Sequence, residues 1–354
     1  MITPQAENMY DKVPNEDPPY QSSLNESKLV NPLFMYPVYS VKFSYAAQEK
    51  EDLTVQEGDQ VFLIDGSNKD WWYMILESTR KAGFVPMNYL TKDVCKLDEK
   101  QIQFVRKLGS GSTGETWEGL CYGNARVAVK ILPFAISSEK YLEEATLMTK
   151  LCHKNVIRFY AVCVERNYFI TDFLTCGNLL DYLRHEGKSM HLTQLLKNAA
   201  QIADGMAYLE AQNYVHGNLA ARNILLTEDH TCKVADYGII PLALEDWKNI
   251  SKISWPDKWT APETVVYEVF TTKSDAWSYG IVIYEIITCG KIPYPAMTDK
   301  EVIERVSDGY RLPCPPACPR KLHNIMLSCW NINADDRPAF TDLQLSITNF
   351  TTDE

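Results

Sequence analysis

The stretch that decides the fold is LGSGSTGETW at Leu108–Trp117, followed by VAVK ending at Lys130. Gly109, Gly111 and Gly114 follow the G-x-G-x-x-G spacing, in which glycines let the backbone approach phosphate groups closely. A dinucleotide-binding loop has the same spacing but leads into a helix. Here VAVK lies in a β-rich stretch, which favours a loop that covers nucleotide phosphates, with Lys130 as a cation for the α- and β-phosphates.

The sequence around this loop divides into four segments. Residues 102–350 pass from a β-rich stretch to long helical patterns, which predicts a two-lobed α+β domain with lobes at 102–174 and 175–350. Residues 37–93 hold short β-rich runs separated by polar turns and predict a small all-β barrel. Residues 94–101 are expected to be a linker. Residues 1–36 lack apolar periodicity and predict a disordered acidic tail.

Composition and charge exclude several classes of protein. A net charge of −11 over 354 residues argues against nucleic acid or an anionic membrane as the main partner. The chain has no 18-residue apolar run and no secretory signal, and Ile2 excludes myristoylation. Ten scattered cysteines without a C-x-x-C pair predict reduced thiols. We therefore expect a cytoplasmic protein without a membrane anchor, recruited to the membrane periphery only through partners.

The predicted barrel carries many aromatic residues beside an acidic loop at Glu49–Asp52. Exposed rings next to carboxylates suit a polyproline-II ligand that carries a basic residue. The alternative is that the rings are simply core. The segments VKFSY, EDL, DWW and FVPMNYL then occur in the order and spacing of the SH3 family, which this region resembles. The resemblance implies proline-rich partners and a ligand surface of Phe43, Tyr45, Asp52, Trp71, Pro86, Asn88 and Tyr89.

Residues 102–350 resemble the protein tyrosine kinases. The resemblance rests on FITDFLTCGNL, VHGNLAARNIL, VADYG, PDKWTAPE, KSDAWSYG and CW…DDRP, together with the glycine loop. It implies ATP and Mg²⁺ as cofactors, Asn223 and Asp236 as metal ligands, and Glu144 as the partner of Lys130. The implied nucleotide contacts are Leu108, Gly109, Gly111, Gly114, Thr116, Ala128, Lys130, Thr171, Leu174 and Leu225. The resemblance also implies a Glu263–Arg337 pair and a stack of Met148, Phe159, His216 and Tyr237 anchored by Asp275.

The catalytic loop departs from the family pattern. The family motif is H-R-D, and this chain has His216-Gly217-Asn218, with Arg222 four residues further on. Asn218 thus replaces the aspartate that orients the attacking hydroxyl and accepts its proton. An amide is not a base at neutral pH, and removing a general base costs roughly 10²–10⁴-fold in rate. The predicted catalytic set is therefore Lys130, Glu144, Arg222 and a degenerate Asn218.

Other departures concern regulation. In kinases that are activated by loop phosphorylation, an arginine at the position of Gly217 pairs with the phosphorylated residue. Residues 238–261 contain no tyrosine that could be phosphorylated for this purpose. Thr113 and Thr116 alter the glycine loop, and no SH2 domain separates the two predicted domains. Tyr10 and Tyr20 lie beside acidic residues in the tail and are candidate phosphorylation sites, although two ordinary tail tyrosines are the simpler interpretation.

Three functional hypotheses follow. In the first, the chain is a nucleotide-binding pseudokinase that acts as a scaffold or allosteric regulator, with proline-rich partners that include an active kinase or a receptor. In the second, it is a slow tyrosine kinase that tolerates Asn218, because phosphoryl transfer depends largely on positioning and charge. In the third, it is an SH3 adaptor whose kinase fold is inert. The retained Lys130, Asn223 and Asp236 weigh against the third hypothesis, and Asn218 weighs against the second.

Overall fold

A computed structural model describes residues 32–111, 113–133, 137–238 and 258–352. Tyr10, Tyr20 and most of the predicted tail lie outside these residues. The prediction that disorder extends to residue 36 is wrong at its end. Leu33–Met35 form a 3-10 helix, and Phe34 is only 2% exposed because its ring packs against Tyr122 and Tyr160.

The first domain is the predicted small barrel. Its strands are β1 (Val38–Val41), β2 (Gln60–Asp65), β3 (Trp71–Leu76), β4 (Ala82–Pro86) and β5 (Leu90–Lys92). They form one sheet in the order β4-β3-β2-β1-β5, with antiparallel neighbours. A short 3-10 helix, Met87–Tyr89, joins the last two strands. The alternating apolar residues of β2 and β3 fill the barrel core.

A second sheet forms the N-lobe of the next domain. Its strands are β6 (Cys95–Lys96), β7 (Ile102–Gly111), β8 (Gly114–Cys121), β9 (Ala125–Ile131), β10 (Phe159–Cys163) and β11 (Tyr168–Asp172). Their order is β6-β10-β11-β9-β8-β7. Helix α1 (Ser138–Lys150) packs on this sheet, and the Ser137 side chain caps it by accepting the Lys140 N–H.

The predicted linker at 94–101 is part of this sheet, which corrects the sequence interpretation. Cys95 and Lys96 pair in parallel with Ala161 and Val162 of β10, and the Leu97 N–H donates to the Val162 carbonyl at 2.7 Å. A two-residue strand has too little periodicity to be recognised in a sequence. The barrel also shares a hydrophobic core with the N-lobe, because Val38, Phe62 and Ile75 cluster with the apolar residues of β6 to β11.

The C-lobe is mostly helical. Its helices are α2 (Leu179–Glu186), α3 (Leu192–Ala211), α4 (Pro262–Tyr267), α5 (Thr272–Ile287), α6 (Asp299–Ser307), α7 (Arg320–Cys329) and α8 (Phe340–Thr352). The strands β12 (Ile224–Leu226) and β13 (Cys232–Val234) form a separate antiparallel pair. Helix α5 is almost entirely buried and begins with a capping box between Thr271 and Ser274. Within the described ranges, no helix has the length and hydrophobicity to cross a bilayer.

Candidate active site

The cleft between the lobes is built by the glycine-rich hairpin and the start of the C-lobe. A cavity of about 350 Å³ is lined by six of the predicted nucleotide contacts: Leu108, Gly109, Thr116, Ala128, Leu174 and Leu225. An adjoining cavity of about 270 Å³ is lined by Gly111, Gly114, Lys130, Asn218, Arg222, Asn223 and Asp236. The two cavities thus bring these predicted residues together, and their role in nucleotide binding stays a prediction. Thr171 lies on β11 opposite Ala128 but does not line either cavity.

The cleft also contains residues that sequence reasoning missed. Asn178 lines both cavities, and Asp181 lines the larger one. Asn178 also caps α2, because its side chain accepts the Asp181 N–H at 2.9 Å. Asparagine before an apolar helical run is a recognisable cap signal, so this position could have been found from the sequence.

Gly114 shows why the glycine loop needs its sequence. Its φ is +115°, and a Cβ at this position would overlap the carbonyl oxygen of Ile131. In contrast, a Cβ at Gly109 or Gly111 would meet no atom within 4 Å. Gly114 is therefore required by the hairpin itself, whereas Gly109 and Gly111 leave open space above the cleft.

Lys130 does not make the ion pair that the sequence predicted. Its ammonium donates to Asp236 Oδ2 at 2.7 Å and to Thr113 Oγ1 at 3.1 Å, and the residue is only 8% exposed. Glu144 makes no ion pair with Lys130, so this prediction is wrong for the described conformation. The physical reason is that the single Lys130 ammonium is already bound by Asp236 and Thr113.

Glu144 has one carboxylate oxygen without a partner. Its Oε1 has no hydrogen-bond partner among the described residues, and it lies close to Gly238. Burial raises the pKa of the Glu144 carboxyl to about 7, because water no longer solvates the charged form. Glu144 is therefore partly protonated near neutral pH in this arrangement, which lowers the cost of leaving it without a cation.

The catalytic loop is held by backbone bonds to a buried carboxylate. The N–H groups of His216 and Gly217 both donate to Asp275 at 2.8 Å, as the predicted anchor requires. Burial lowers the pKa of His216 to about 4, so the ring is neutral at pH 7. Its Nε2–H donates to the Ala235 carbonyl at 2.9 Å, and its Nδ1 accepts the Asn218 N–H. Gly217 has φ +73°, a conformation that favours glycine.

Asn218 is held in the cleft by its neighbours. Its Oδ1 accepts a hydrogen bond from the Arg222 guanidinium at 3.2 Å, and its backbone carbonyl accepts from Asn223 Nδ2 at 2.6 Å. The Arg222 guanidinium also lies 4.8 Å from the centre of the Trp259 ring. Because the amide oxygen faces Arg222, the other end of the Asn218 side chain is the NH₂ group, which can donate a proton in a hydrogen bond but not accept one.

Asn223 and Asp236 supply oxygen atoms to the same cavity. The amide nitrogen of Asn223 is used to bind the Asn218 carbonyl, so its Oδ1 is the atom left for a cation. A carboxylate and an amide oxygen beside phosphate groups are the ligands that Mg²⁺ prefers. The donor set therefore fits a magnesium–nucleotide complex.

The supporting architecture agrees with the predicted contacts. Arg337 is buried and makes a two-pronged bond to Glu263 at 2.6 and 2.8 Å. The Tyr237 hydroxyl donates to the Ile157 carbonyl at 2.8 Å, and its ring joins the core that contains Met148 and Phe159. These bonds connect the segment after Asp236 to both lobes.

The SH3 ligand residues come together, but the expected exposed ridge is closed. The Tyr45 ring centre lies 5.8 Å from Trp71 and 6.2 Å from Tyr89, and Phe43 lies 5.8 Å from Tyr89. Trp71 is 4% exposed and Tyr89 is 9% exposed, whereas Phe43 is 44% exposed.

Asp52 is turned toward the barrel. It accepts hydrogen bonds from the Tyr45 hydroxyl and from the Gln48 and Glu49 N–H groups. The carboxylate therefore fixes the loop and the Tyr45 ring. Pro86 is buried opposite Trp71 in the sheet, and Asn88 is exposed.

Comparison with known proteins agrees with this architecture. Residues 102–347 match the family described as "Protein tyrosine and serine/threonine kinase", and residues 41–91 match "Variant SH3 domain". The tyrosine-protein kinase SRK3 of Spongilla lacustris is 48% identical over 258 residues, which cover 72% of this chain and 77% of that protein. The tyrosine-protein kinase SRK2 of the same organism is 44% identical over 270 residues, or 75% of each chain. The chain therefore belongs to the protein tyrosine and serine/threonine kinase family and joins an SH3 domain to a tyrosine-kinase domain.

Proposed function

We propose that this chain is a non-receptor tyrosine-kinase-like signalling protein that binds MgATP and is catalytically impaired. The observation that carries the proposal is the contact between Arg222 and Asn218 Oδ1. A base must present a lone pair to the substrate hydroxyl, and the only strong acceptor of this side chain already faces a cation. The protein would therefore act as a pseudokinase scaffold or allosteric regulator.

Nucleotide binding is supported by the chemistry of the cleft. Leu108, Ala128 and Leu225 would hold the adenine ring between apolar surfaces, with backbone groups of residues 171–174 beside it. Lys130 would hold the phosphates, and Asn223 and Asp236 would hold Mg²⁺. When bound, MgATP supplies the phosphoryl group and the metal charge that such chemistry needs.

Lys130 would have to exchange partners for this to happen. In the described conformation its ammonium is bound by Asp236 and Thr113, the carboxylate and hydroxyl nearest the expected phosphate position. A nucleotide must therefore compete with these two groups for the ammonium. We accordingly expect weak to moderate affinity for MgATP.

The SH3 domain would bring the protein to its partners. Tyr45, Trp71, Pro86 and Tyr89 are buried in the described conformation and would have to be uncovered to serve as the ring-lined surface for a polyproline-II segment, beside which Glu49 and Glu51 add negative charge. We infer that the partners are proline-rich proteins that include an active kinase or a receptor. Such recruitment would take a cytoplasmic protein to the membrane periphery without an anchor of its own.

A second function is a weakly active tyrosine kinase. The observation in its favour is that Lys130, Asn223 and Asp236 all line one cavity, as phosphoryl transfer requires. The two relatives named above are also called tyrosine-protein kinases. This alternative differs from the first only in rate.

The test combines MgATP binding with transfer of labelled phosphate to tyrosine peptides. We expect MgATP to raise the melting temperature, because it binds only the folded state, and we expect transfer barely above background. Lys130→Met should remove the thermal shift, and Lys107→Met is a matched control because Lys107 pairs with Glu115 on the outer part of the same hairpin. A flat thermal profile up to millimolar MgATP would favour the inert-adaptor hypothesis.

A further inference from the structure

A third cavity lies where the barrel meets the N-lobe, and we call it the junction cavity. It has a volume of about 140 Å³ and is lined by residues 34–38, by the end of β5, by the end of α1 and by the start of β10. None of the described residues lines both this cavity and the cleft. Arg158 and Cys152, which line it, are exposed, so the cavity opens to solvent. The junction cavity is therefore a separate site that both domains build together.

Two cationic side chains line the junction cavity, one from each domain. Lys92 ends strand β5 of the barrel, and Arg158 directly precedes β10 of the N-lobe. Lys92 makes no ion pair with any other described residue. The Arg158 guanidinium donates to the Met35 carbonyl at 3.1 Å and lies 5.3 Å from the centre of the Tyr160 ring. That bond uses only one of the guanidinium N–H groups, so both cations keep donors for a further acceptor.

The one carboxylate that lines the cavity is already engaged. Among the described residues, Asp93 is the only acidic one in the lining. Its Oδ1 accepts the Val94 N–H at 2.7 Å, and its Oδ2 accepts hydrogen bonds from the Ser40 hydroxyl and the Gln60 amide. The carboxylate thus binds groups of its own barrel and leaves the two cations uncompensated.

The charge balance of the cavity favours an anion. Burial lowers the pKa of the Lys92 ammonium, because water no longer solvates the charge fully, and the like charges of Arg158 and Lys150 act in the same direction. An anion in the cavity would offset these effects and would accept charge-assisted hydrogen bonds from both lining cations.

The rest of the wall is apolar and aromatic. Its side chains belong to Tyr36, Pro37, Leu151, Phe159 and Tyr160. A bare inorganic anion would leave these surfaces unused, whereas a phosphate attached to a ring would meet the cations and pack its ring against the aromatic wall. The volume is less than half of the about 350 Å³ of the larger cleft cavity, which suits one phosphate-bearing side chain rather than a nucleotide.

We propose that the junction cavity binds an aryl phosphate, namely the phosphotyrosine side chain of a partner protein. Lys92 from the barrel and Arg158 from the N-lobe would donate to the phosphate oxygens, and the ring would pack against Phe159. This ligand differs from the MgATP and the proline-rich segments proposed above, and its site uses neither the cleft nor the ring-lined surface of the barrel. Because one ligand would contact both domains, its binding would stabilise the junction between them.

The experiment measures binding of phenyl phosphate to the full chain by calorimetry and thermal denaturation. We expect phenyl phosphate to raise the melting temperature and to bind about tenfold more tightly than inorganic phosphate, which has no ring to bury. Lys92→Met and Arg158→Met should each weaken binding by roughly 10–100-fold. Lys81→Met is the matched control, because Lys81 is an exposed barrel lysine outside the cavity lining, and it should leave the affinity unchanged. A phosphotyrosine peptide without proline should compete with phenyl phosphate, and the matching phosphoserine peptide should not.

The outcomes separate this site from the cleft and from other ligands. Lys92→Met should stay folded, since it removes a partly buried charge, and thermal denaturation of the free variant checks this. The proposal is overturned if phenyl phosphate does not bind at millimolar concentration, or if Lys92→Met and Arg158→Met both bind it as the wild type does. Binding that is lost in Lys130→Met but kept in Lys92→Met also overturns it, because the anion would then lie in the cleft. Equal affinity for phenyl phosphate and inorganic phosphate, or equal competition by the two peptides, overturns the assignment to phosphotyrosine.

Discussion

Replacing Asn218 by aspartate tests the assignment of the catalytic defect most directly. The two side chains have nearly the same shape, so the change replaces the amide NH₂ by a carboxylate oxygen without new packing. The other carboxylate oxygen would keep the contact to the Arg222 guanidinium, now 3.2 Å from the amide oxygen, as an ion pair. That cation favours the charged form, so a base becomes available on the side that faces the cavity.

The expected gain follows from the usual contribution of a general base. A base contributes roughly 10²–10⁴-fold, and we expect the lower end, about 10²-fold or about 3 kcal/mol in the barrier. The rescue should be partial because Lys130 is engaged by Asp236 and Thr113 in the described conformation. Thr116 also makes the adenine lid more polar than the valine of the family pattern.

The assay is transfer of labelled phosphate to tyrosine peptides at saturating MgATP, with MgATP binding measured on the same preparations. Asn218→Ala is the matched control and should stay at background, because it provides neither base nor amide. Gly217→Arg should raise the transfer rate little. The φ of +73° at this position strains a non-glycine residue by about 1–2 kcal/mol, and residues 238–261 contain no tyrosine whose phosphate the arginine could bind. The reasoning is refuted if the wild type already turns over at about 1–100 per second, the usual kinase range. It is also refuted if Asn218→Asp binds MgATP yet remains inactive.

Three further predictions concern other parts of the chain. Trp71→Ala should abolish binding of proline-rich peptides, and Glu51→Gln should weaken peptides with a flanking basic residue, because Asp52 is turned toward the barrel; equal binding by Trp71→Ala in calorimetry would contradict the assigned surface. Because burial raises the pKa of Glu144 to about 7, the folded state binds a proton that the unfolded state releases between pH 4.5 and 7. Stability should therefore fall by about 3 kcal/mol as pH rises through this range, and Glu144→Gln should remove that loss in urea titrations at pH 5 and 8. An unchanged pH slope in that variant would show that Glu144 is paired in solution. Phosphosite mapping should find Tyr20 or Tyr10 modified when an active tyrosine kinase is coexpressed, and the absence of both would favour the interpretation that they are ordinary tail tyrosines.

The positions of the site residues could be predicted from the sequence because they occur in short local motifs. Gly109, Lys130, Asn223 and Asp236 each follow a fixed pattern of neighbours, and the structure brings all four to one cleft. The loss of the catalytic aspartate was equally visible, because the sequence has Asn218 at that position of the motif. The orientation of the Asn218 side chain toward Arg222 could be seen only in the structure, because the spacing of motif residues does not determine a side-chain rotamer.

The sequence predictions that the structure corrected concern side chains and strands that have more than one available partner. Lys130 can pair with Glu144 or with Asp236, and which one it selects depends on where α1 lies relative to the sheet, which no local pattern specifies. The burial of Trp71 was missed for a similar reason, because counting aromatic residues cannot tell which ring faces are covered. The strand β6 was hidden in a charged segment because its pairing with β10 is a long-range contact.

That pairing has a practical consequence for anyone who divides the protein. A fragment that begins at Ile102 would lack β6, so β10 would become an unpaired edge strand with free backbone N–H and C=O groups. The same cut would uncover Val127, Ala161 and Ile170, which now share a core with the barrel. Exposed edges and apolar patches of this kind promote self-association. The isolated kinase domain should therefore aggregate where the two-domain chain stays monodisperse, and the barrel serves as the permanent cover of the lobe that holds Lys130.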